Sequence, residues 1–292
     1  MSATRVPVGR LATLAAVVVG AFALAQTARG PHWRTVAPGL EFATIRGEPW
    51  CRAGSSTIAV LRLDPARVRV RVRHYSGLPG RAPITSAAWL DHSRALAVLN
   101  AGQYYPDFSY MGLLVSDGRP VSTRLHPSFR ALLVAEPERD SVAGTRPGAA
   151  RAAGSRRARL VDLEHEPVDP GRPGWRQVAQ SFMLFDRNGA PRVRRTDQVA
   201  NRTVVAEDRA GRLLMVTSEG GYTLRDFAEL LRQAPLELTH AMAMDGGHEA
   251  QLCVRAGNFR YASFGQWRAG EARPAAWDAQ VPLPAVVTLE PW

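Results

Sequence analysis

The sequence predicts an α+β fold: a mixed, largely antiparallel central sheet built from hairpins, with a few helices packed against it. Three observations carry this. Apolar and polar residues alternate over short runs, as where Val68, Val70 and Val72 stand between Arg67, Arg69, Arg71 and Arg73, the period of a strand with one buried face. Turn pairs such as Asp117-Gly118 and Asn188-Gly189 separate such runs, as hairpins require. Helical spacing, by contrast, is confined to two stretches.

Taken in order, residues 26–50 form a lead-in spotted with Pro and Gly. Two strands follow about an Asp64-Pro65-Ala66 turn. The arginine row of the second reads as a solvated sheet face, with an anion-binding stripe as the alternative. A helix is expected from Ser86 to Ser93, then a buried strand over Ala95–Leu99. Hairpins turn at Asp117-Gly118, Asn188-Gly189 and Ala210-Gly211. In "TLRDFAELLRQA", Thr223 is the expected N-cap with Asp226 three residues on. Leu224, Phe227, Leu230 and Leu231 share one face, and Pro235 stops the helix because it has no N–H to donate. The strand Leu238–Met244 then runs out at Asp245. Between Glu138 and Arg176 periodicity fails and Gly, Pro, Ala and Arg dominate. That segment, about 138–176, reads as a surface insertion with one strand, Arg159–Leu163, inside a single domain spanning 26–292.

The chain has 292 residues, 46% of them hydrophobic and 22% charged, proportions that exclude global disorder. Its formal charge is +11, and every basic residue is arginine. A chain without lysine points to coding bias rather than to selection for a basic surface. No zinc-finger spacing, RNP-like aromatic motif or basic helix accompanies the charge, so no nucleic-acid partner is expected. At the N-terminus, Arg5 and Arg10 precede an uncharged apolar run from Leu11 to Ala25 that closes on Ala23-Leu24-Ala25. This is the order of a secretory signal, and the run is short for a membrane span. Residues 1–25 are therefore expected to be a cleaved signal peptide, and the protein periplasmic or secreted. It meets the membrane only if that segment stays uncleaved as an anchor. In an oxidising compartment Cys51 and Cys253 either pair or remain two separate buried thiols.

Four stretches share a pattern in which a strand runs out into polar residues or glycine: "VLNAGQYYPD", "AQSFML", "VANRTVV" and "MDGG". Each alone is explained by turn chemistry. Together with "GLLVSDG", and in this order, the series resembles the phosphodiester glycosidase family, above all its bacterial branch, over a core from about residue 96 to 264. Three positions depart from the family pattern: His248-Glu249 stand where glycine and serine are common, Phe182 follows Ser181 where glycine is usual, and Gln103 interrupts the glycine-aromatic stretch.

The resemblance implies an exported hydrolase cleaving a sugar 1-phosphodiester or a related glycosidic linkage, with a phosphorylated glycan or sugar phosphodiester as substrate. The alternative is a non-catalytic periplasmic glycan- or anion-binding protein on the same scaffold. Cutting the anomeric C–O bond of such a diester releases a phosphate monoester, whose second pKa near 6 lets it depart without full protonation. The chemistry then needs a carboxylate for an attacking water or an oxocarbenium-like carbon, and a fixed cation for the phosphate. Asp245 is the expected carboxylate and Glu219 the second, with Glu249 the rival for that place. Asn100 is expected to orient a hydroxyl or the carboxylate. Arg202 offers a planar fork to phosphate oxygens, though a surface ion pair would also explain it. Thr203, Gly102, Tyr105, Ser181, Gly246 and Gly247 complete the expected substrate-binding set, with Tyr104 beside Tyr105 as a stacking surface. His248 beside Asp245 and Glu249 invites a metal, but no second His/Asp cluster at ligand spacing completes a site. No metal and no cofactor are expected.

Overall fold

Hairpin after hairpin, alternating runs pair into two sheets. The computed structural model describes residues 30–138, 157–271 and 280–292. The expected signal segment 1–25 and residues 139–156 of the expected insertion lie outside the described residues. Residues His32–Trp292 form one unit.

Sixteen strands follow in chain order among the described residues: β1 (Arg34–Ala37), β2 (Leu40–Arg46), β3 (Thr57–Leu63), β4 (Val68–His74), β5 (Ala97–Asn100), β6 (Leu114–Ser116), β7 (Arg119–Ser122), β8 (Ala131–Pro137), β9 (Ala158–Asp162), β10 (Trp175–Phe185), β11 (Thr203–Asp208), β12 (Leu213–Ser218), β13 (Leu238–Ala243), β14 (Gln251–Ala256), β15 (Phe259–Phe264) and β16 (Ala285–Pro291). The two α-helices among the described residues are α1 (Ser86–Ser93) and α2 (Leu224–Gln233). The larger sheet runs β1-β2-β3-β12-β11-β13-β10-β6-β7, with β8 also on β10 and β9 on β8. The smaller runs β15-β14-β5-β16-β4.

Period-2 patterning sets the layers. Ala59, Leu61, Val205, Met215, Met242 and Met244 turn one face of the larger sheet toward Val70, Leu99, Leu252 and Val287 of the smaller. The residues between them, Val60, Val204, Val216, Ala241 and Ala243, face α2 through Phe227, Ala228, Leu230 and Leu231. The run "AMAM" is thus explained: alanines leave room for a helix on one face while methionines fill the space between sheets on the other. α1 covers the outer face of the smaller sheet, packing Trp89 and Leu90 on Val98, Cys253 and Val286. Thr223 caps α2, its hydroxyl accepting from Asp226 N at 3.0 Å. The Asp226 carboxylate goes to Arg52 instead of closing the box.

Several expectations are corrected. The architecture is far richer in strand than a balanced α+β fold, it has two sheets rather than one, and every strand pairing among the described residues is antiparallel rather than mixed. The Asn188-Gly189 turn does not return a strand; only the single bridge Phe185↔Pro191 forms. The lead-in contains β1 and β2, and the expected insertion contributes β9 and the start of β10 to the sheet. The arginine row is not freely solvated: Arg69 meets Glu136, Arg71 meets Asp117, and Arg73 meets Glu290. Cys51 and Cys253 are both free thiols. Cys253 lies in the α1 layer 3.3 Å from the Ser86 hydroxyl, while Cys51 points at the Ala53 carbonyl.

Candidate active site

Where β13 ends, the chain must turn without losing its hydrogen bonds, and this is where Asp245 sits. Its N–H donates to the Ala101 carbonyl just beyond β5. Its own carbonyl receives the Asn100 amide at 2.9 Å and the Thr203 hydroxyl at 2.8 Å. The backbone is thereby fixed from both sheets, and the side chain enters a cleft of about 1070 Å³, a volume suited to a small ligand. Gly246 passes so close to Asn201 that a Cβ there would stand 2.8 Å from its carbonyl oxygen. Gly247 has φ +74°, a left-handed conformation that favours glycine. The short 3-10 turn Gly247–Glu249 then brings Glu249 back over the same cleft.

Two carboxylates share the cleft. Glu249 accepts from the Tyr104 hydroxyl at 3.2 Å. Burial, reinforced by the negative charge of Glu249, pushes the Asp245 carboxyl up to about 7, while the Gly246 N–H, Arg268 and Arg202 oppose the rise. Desolvation with a like-charged neighbour is the arrangement that brings a carboxylate into the range of neutral-pH proton transfer.

Arg202 lines the same cleft. Its Nε donates to the Tyr222 carbonyl at 2.9 Å and its Nη2 to the Gln198 carbonyl at 2.7 Å. A guanidinium has five donors, so Nη1 and the second Nη2 proton remain as a fork. No carboxylate lies within 4 Å of it among the described residues, so the surface ion pair is not what holds it there. Burial lowers its pKa to about 10, against the pull of Asp245, and it stays cationic at neutral pH.

The expected residues divide into two groups. Asp245, Arg202, Tyr105, Gly246 and Gly247 line the cleft. Asn100, Thr203, Ser181 and Gly102 are buried behind it. Ser181 donates to the Ala243 carbonyl and lies 3.0 Å from Gln103 Oε1. Gly102 is packed so that a Cβ would meet the Tyr110 hydroxyl at 2.5 Å. These four hold the scaffold of the cleft instead of facing a ligand. Glu219 is not in the cleft lining; its carboxylate receives the Ser55 and Tyr261 hydroxyls, each at 3.1 Å. Of the two candidate second carboxylates, Glu249 is the one that lines the cleft with Asp245. His248 turns to Glu271 at 3.2 Å, and among the described residues no three His, Cys, Asp or Glu gather as a metal site.

Sequence reasoning missed Arg268, for which no local signal exists, and met Asn201 only as one of the polar residues of the "VANRTVV" stretch. Asn201 is buried and bonds in four directions: Nδ2 to the Ser218 and Gly220 carbonyls, and Oδ1 from the Gln266 and Trp267 N–H groups. It fastens the loop carrying Arg268 to the start of β11. Phe182, an oddity in the sequence, lies in the cleft wall and packs on Phe129, ring centroids 4.4 Å apart.

A sequence model of the phosphodiester glycosidase family matches residues 93–281. Solved structures of similar fold include the zebrafish N-acetylglucosamine-1-phosphodiester alpha-N-acetylglucosaminidase catalytic domain auto-inhibited by its pro-peptide. That likeness has 13% identity and a TM-score of 0.59, covering 90% of this chain and 87% of that one. A hypothetical protein from Synechocystis is similar at 12% identity and a TM-score of 0.55, covering 90% of this chain and 64% of that one. At such identities the likeness is one of fold. No curated protein sequence matches the chain.

Proposed function

Because the chain belongs to the phosphodiester glycosidase family, we propose that it is an exported hydrolase that cuts the bond between the anomeric carbon of a sugar and a phosphodiester. The observation that carries the reading is the convergence of Asp245 and Arg202 on one cleft, from positions 43 residues apart in the chain. Export rests on the signal-like residues 1–25 alone.

In this reading the Arg202 fork holds the phosphate, and Arg268 at the rim adds charge. Water bonds to the anomeric carbon as the C–O bond to phosphate breaks, and its proton passes to Asp245. The electron pair of the broken bond stays on the departing phosphate oxygen, which needs no acid. A base with a pKa near 7 suits this task at neutral pH. Glu249, steadied by Tyr104, faces the positive charge that develops on the sugar ring.

The test is release of free sugar from a synthetic sugar 1-phosphodiester by purified protein, with Asp245→Asn as the control. Binding of phosphoglycans without turnover by the wild-type chain would instead support the non-catalytic reading.

A further inference from the structure

The catalytic cleft is not the end of the concave surface. Tyr105 lines it and also lines a second basin of about 780 Å³, so that the Tyr104–Ser109 turn is a ridge shared by both. Arg81, Arg119 and Arg124 line that basin, and no Asp or Glu does. All three arginines are exposed, and none has a carboxylate within 4 Å among the described residues. This sets them apart from the β4 arginines, whose charges are paired. Ser109, Ser122 and Thr123 add hydroxyls to the same wall.

The ridge is equally unusual. Large apolar side chains that stay exposed among the described residues are Tyr105 (46%), Phe108 (40%), Leu125 (37%) and Trp292 (48%). The first two stand on the ridge, and Leu125 follows Arg124 in the chain. Exposed rings beside hydroxyls and unpaired guanidinium groups offer sugar faces a stacking surface and phosphate oxygens a charged fork.

We propose that the second basin binds the next anionic repeat of a polymeric substrate, so that the enzyme acts on a glycan strand carrying phosphodiesters in its backbone rather than on a lone sugar phosphodiester. The inference rests on the reading of the cleft given above. The scissile linkage lies at Asp245, the chain crosses Tyr105, and a further phosphate meets Arg119 and Arg124.

The experiment compares a synthetic sugar 1-phosphodiester with an oligomer of three such glycosyl-phosphate repeats, using wild type and an Arg119→Gln/Arg124→Gln double variant. The wild type is expected to show a KM at least tenfold lower for the oligomer, and the variant to lose that advantage while its kinetics on the short substrate stay within twofold. Equal KM for both substrates in the wild type, or an oligomer KM untouched in the double variant, would overturn the proposal. Fluorescence anisotropy of a labelled oligomer reads the basin without turnover. If neither substrate is cleaved but the oligomer binds and the double variant weakens it tenfold, the basin stands and the hydrolytic reading falls. If binding is the same in both proteins, the basin falls whether or not the short substrate is cleaved.

Discussion

The Thr203 hydroxyl donates to the backbone carbonyl of Asp245 at 2.8 Å, so the first residue of β11 acts on the acid's main chain and not on a ligand. With Asn100 on the same oxygen, it sets where the carboxylate stands. Thr203→Val keeps the shape and removes the donor. We expect kcat to fall about tenfold with KM nearly unchanged, because positioning is lost while the phosphate fork stays intact. Removing one buried hydrogen bond should lower stability by about 1 kcal/mol. A KM rise without a kcat loss in steady-state kinetics would assign Thr203 to substrate instead.

Asp245 is held where its charge is disfavoured, and this has a stability consequence of definite sign. Its folded pKa of about 7 lies above the ordinary 3.8, so the fold prefers the protonated form. Below about pH 4 the carboxyl is protonated in both folded and unfolded chains, and the benefit is fully present. As pH rises toward 7 the unfolded chain loses its proton first, and wild-type stability falls. Asp245→Asn carries no such term. It should be more stable than wild type at pH 7.5 by about 2 kcal/mol, below the roughly 4 kcal/mol of the full shift because the cleft admits solvent. The gain should vanish near pH 4. Thermal melts at the two pH values check it, and a variant less stable at pH 7.5 would contradict the burial argument.

The same carboxylate sets a pH profile. As a general base Asp245 must be ionised, so kcat/KM should climb with pH through a midpoint of about 7. The negative charge of Glu249 raises that pKa, so Glu249→Gln should slow the reaction and also move the rising limb to lower pH. Glu219→Gln, altered at a carboxylate held by Ser55 and Tyr261, should leave both limb and rate unchanged. A profile that falls through pH 7 would make Asp245 the proton donor instead.

Much of this was legible in the chain, and the failures have physical causes. α1 lies at the expected Ser86–Ser93, and α2 where the Thr223 cap and the apolar spacing put it; in the fold Thr85 caps α1 in the same way. Asp245 was readable because glycines follow a strand only where the backbone needs close approach or positive φ, and Gly246 and Gly247 show both. The choice between Glu219 and Glu249 was not readable. Glu219 directly follows β12 and Glu249 comes six residues after β13, and what brings Glu249 over the cleft is the 3-10 turn at Gly247–Glu249, a single turn with no sequence period. Thr203 looks like a ligand donor in one dimension, and only the fold shows its partner to be the main-chain carbonyl of Asp245, which Asn100, expected to orient a hydroxyl or the carboxylate, also bonds. Arg268 reaches the cleft on a loop fastened by Asn201, a long-range contact that local pattern does not encode.

Arg202 provides the sharpest test of where the phosphate goes. Two of its donors are committed to the Tyr222 and Gln198 carbonyls, which orient the remaining fork. A lysine at this position carries one compact ammonium with three donors. It cannot hold both carbonyls and still grip two phosphate oxygens. For Arg202→Lys we expect kcat/KM to fall about a hundredfold, near 3 kcal/mol, within the range for charge-assisted bonds to a buried anion. The discriminating measurement is inhibition by the phosphate monoester product. Its inhibition constant should rise at least tenfold in Arg202→Lys. In Asp245→Asn it should stay the same or fall, since that change removes a negative charge near the phosphate. An inhibition constant unmoved by Arg202→Lys would shift the phosphate to the exposed Arg268 side of the cleft and leave Arg202 as a brace between two carbonyls.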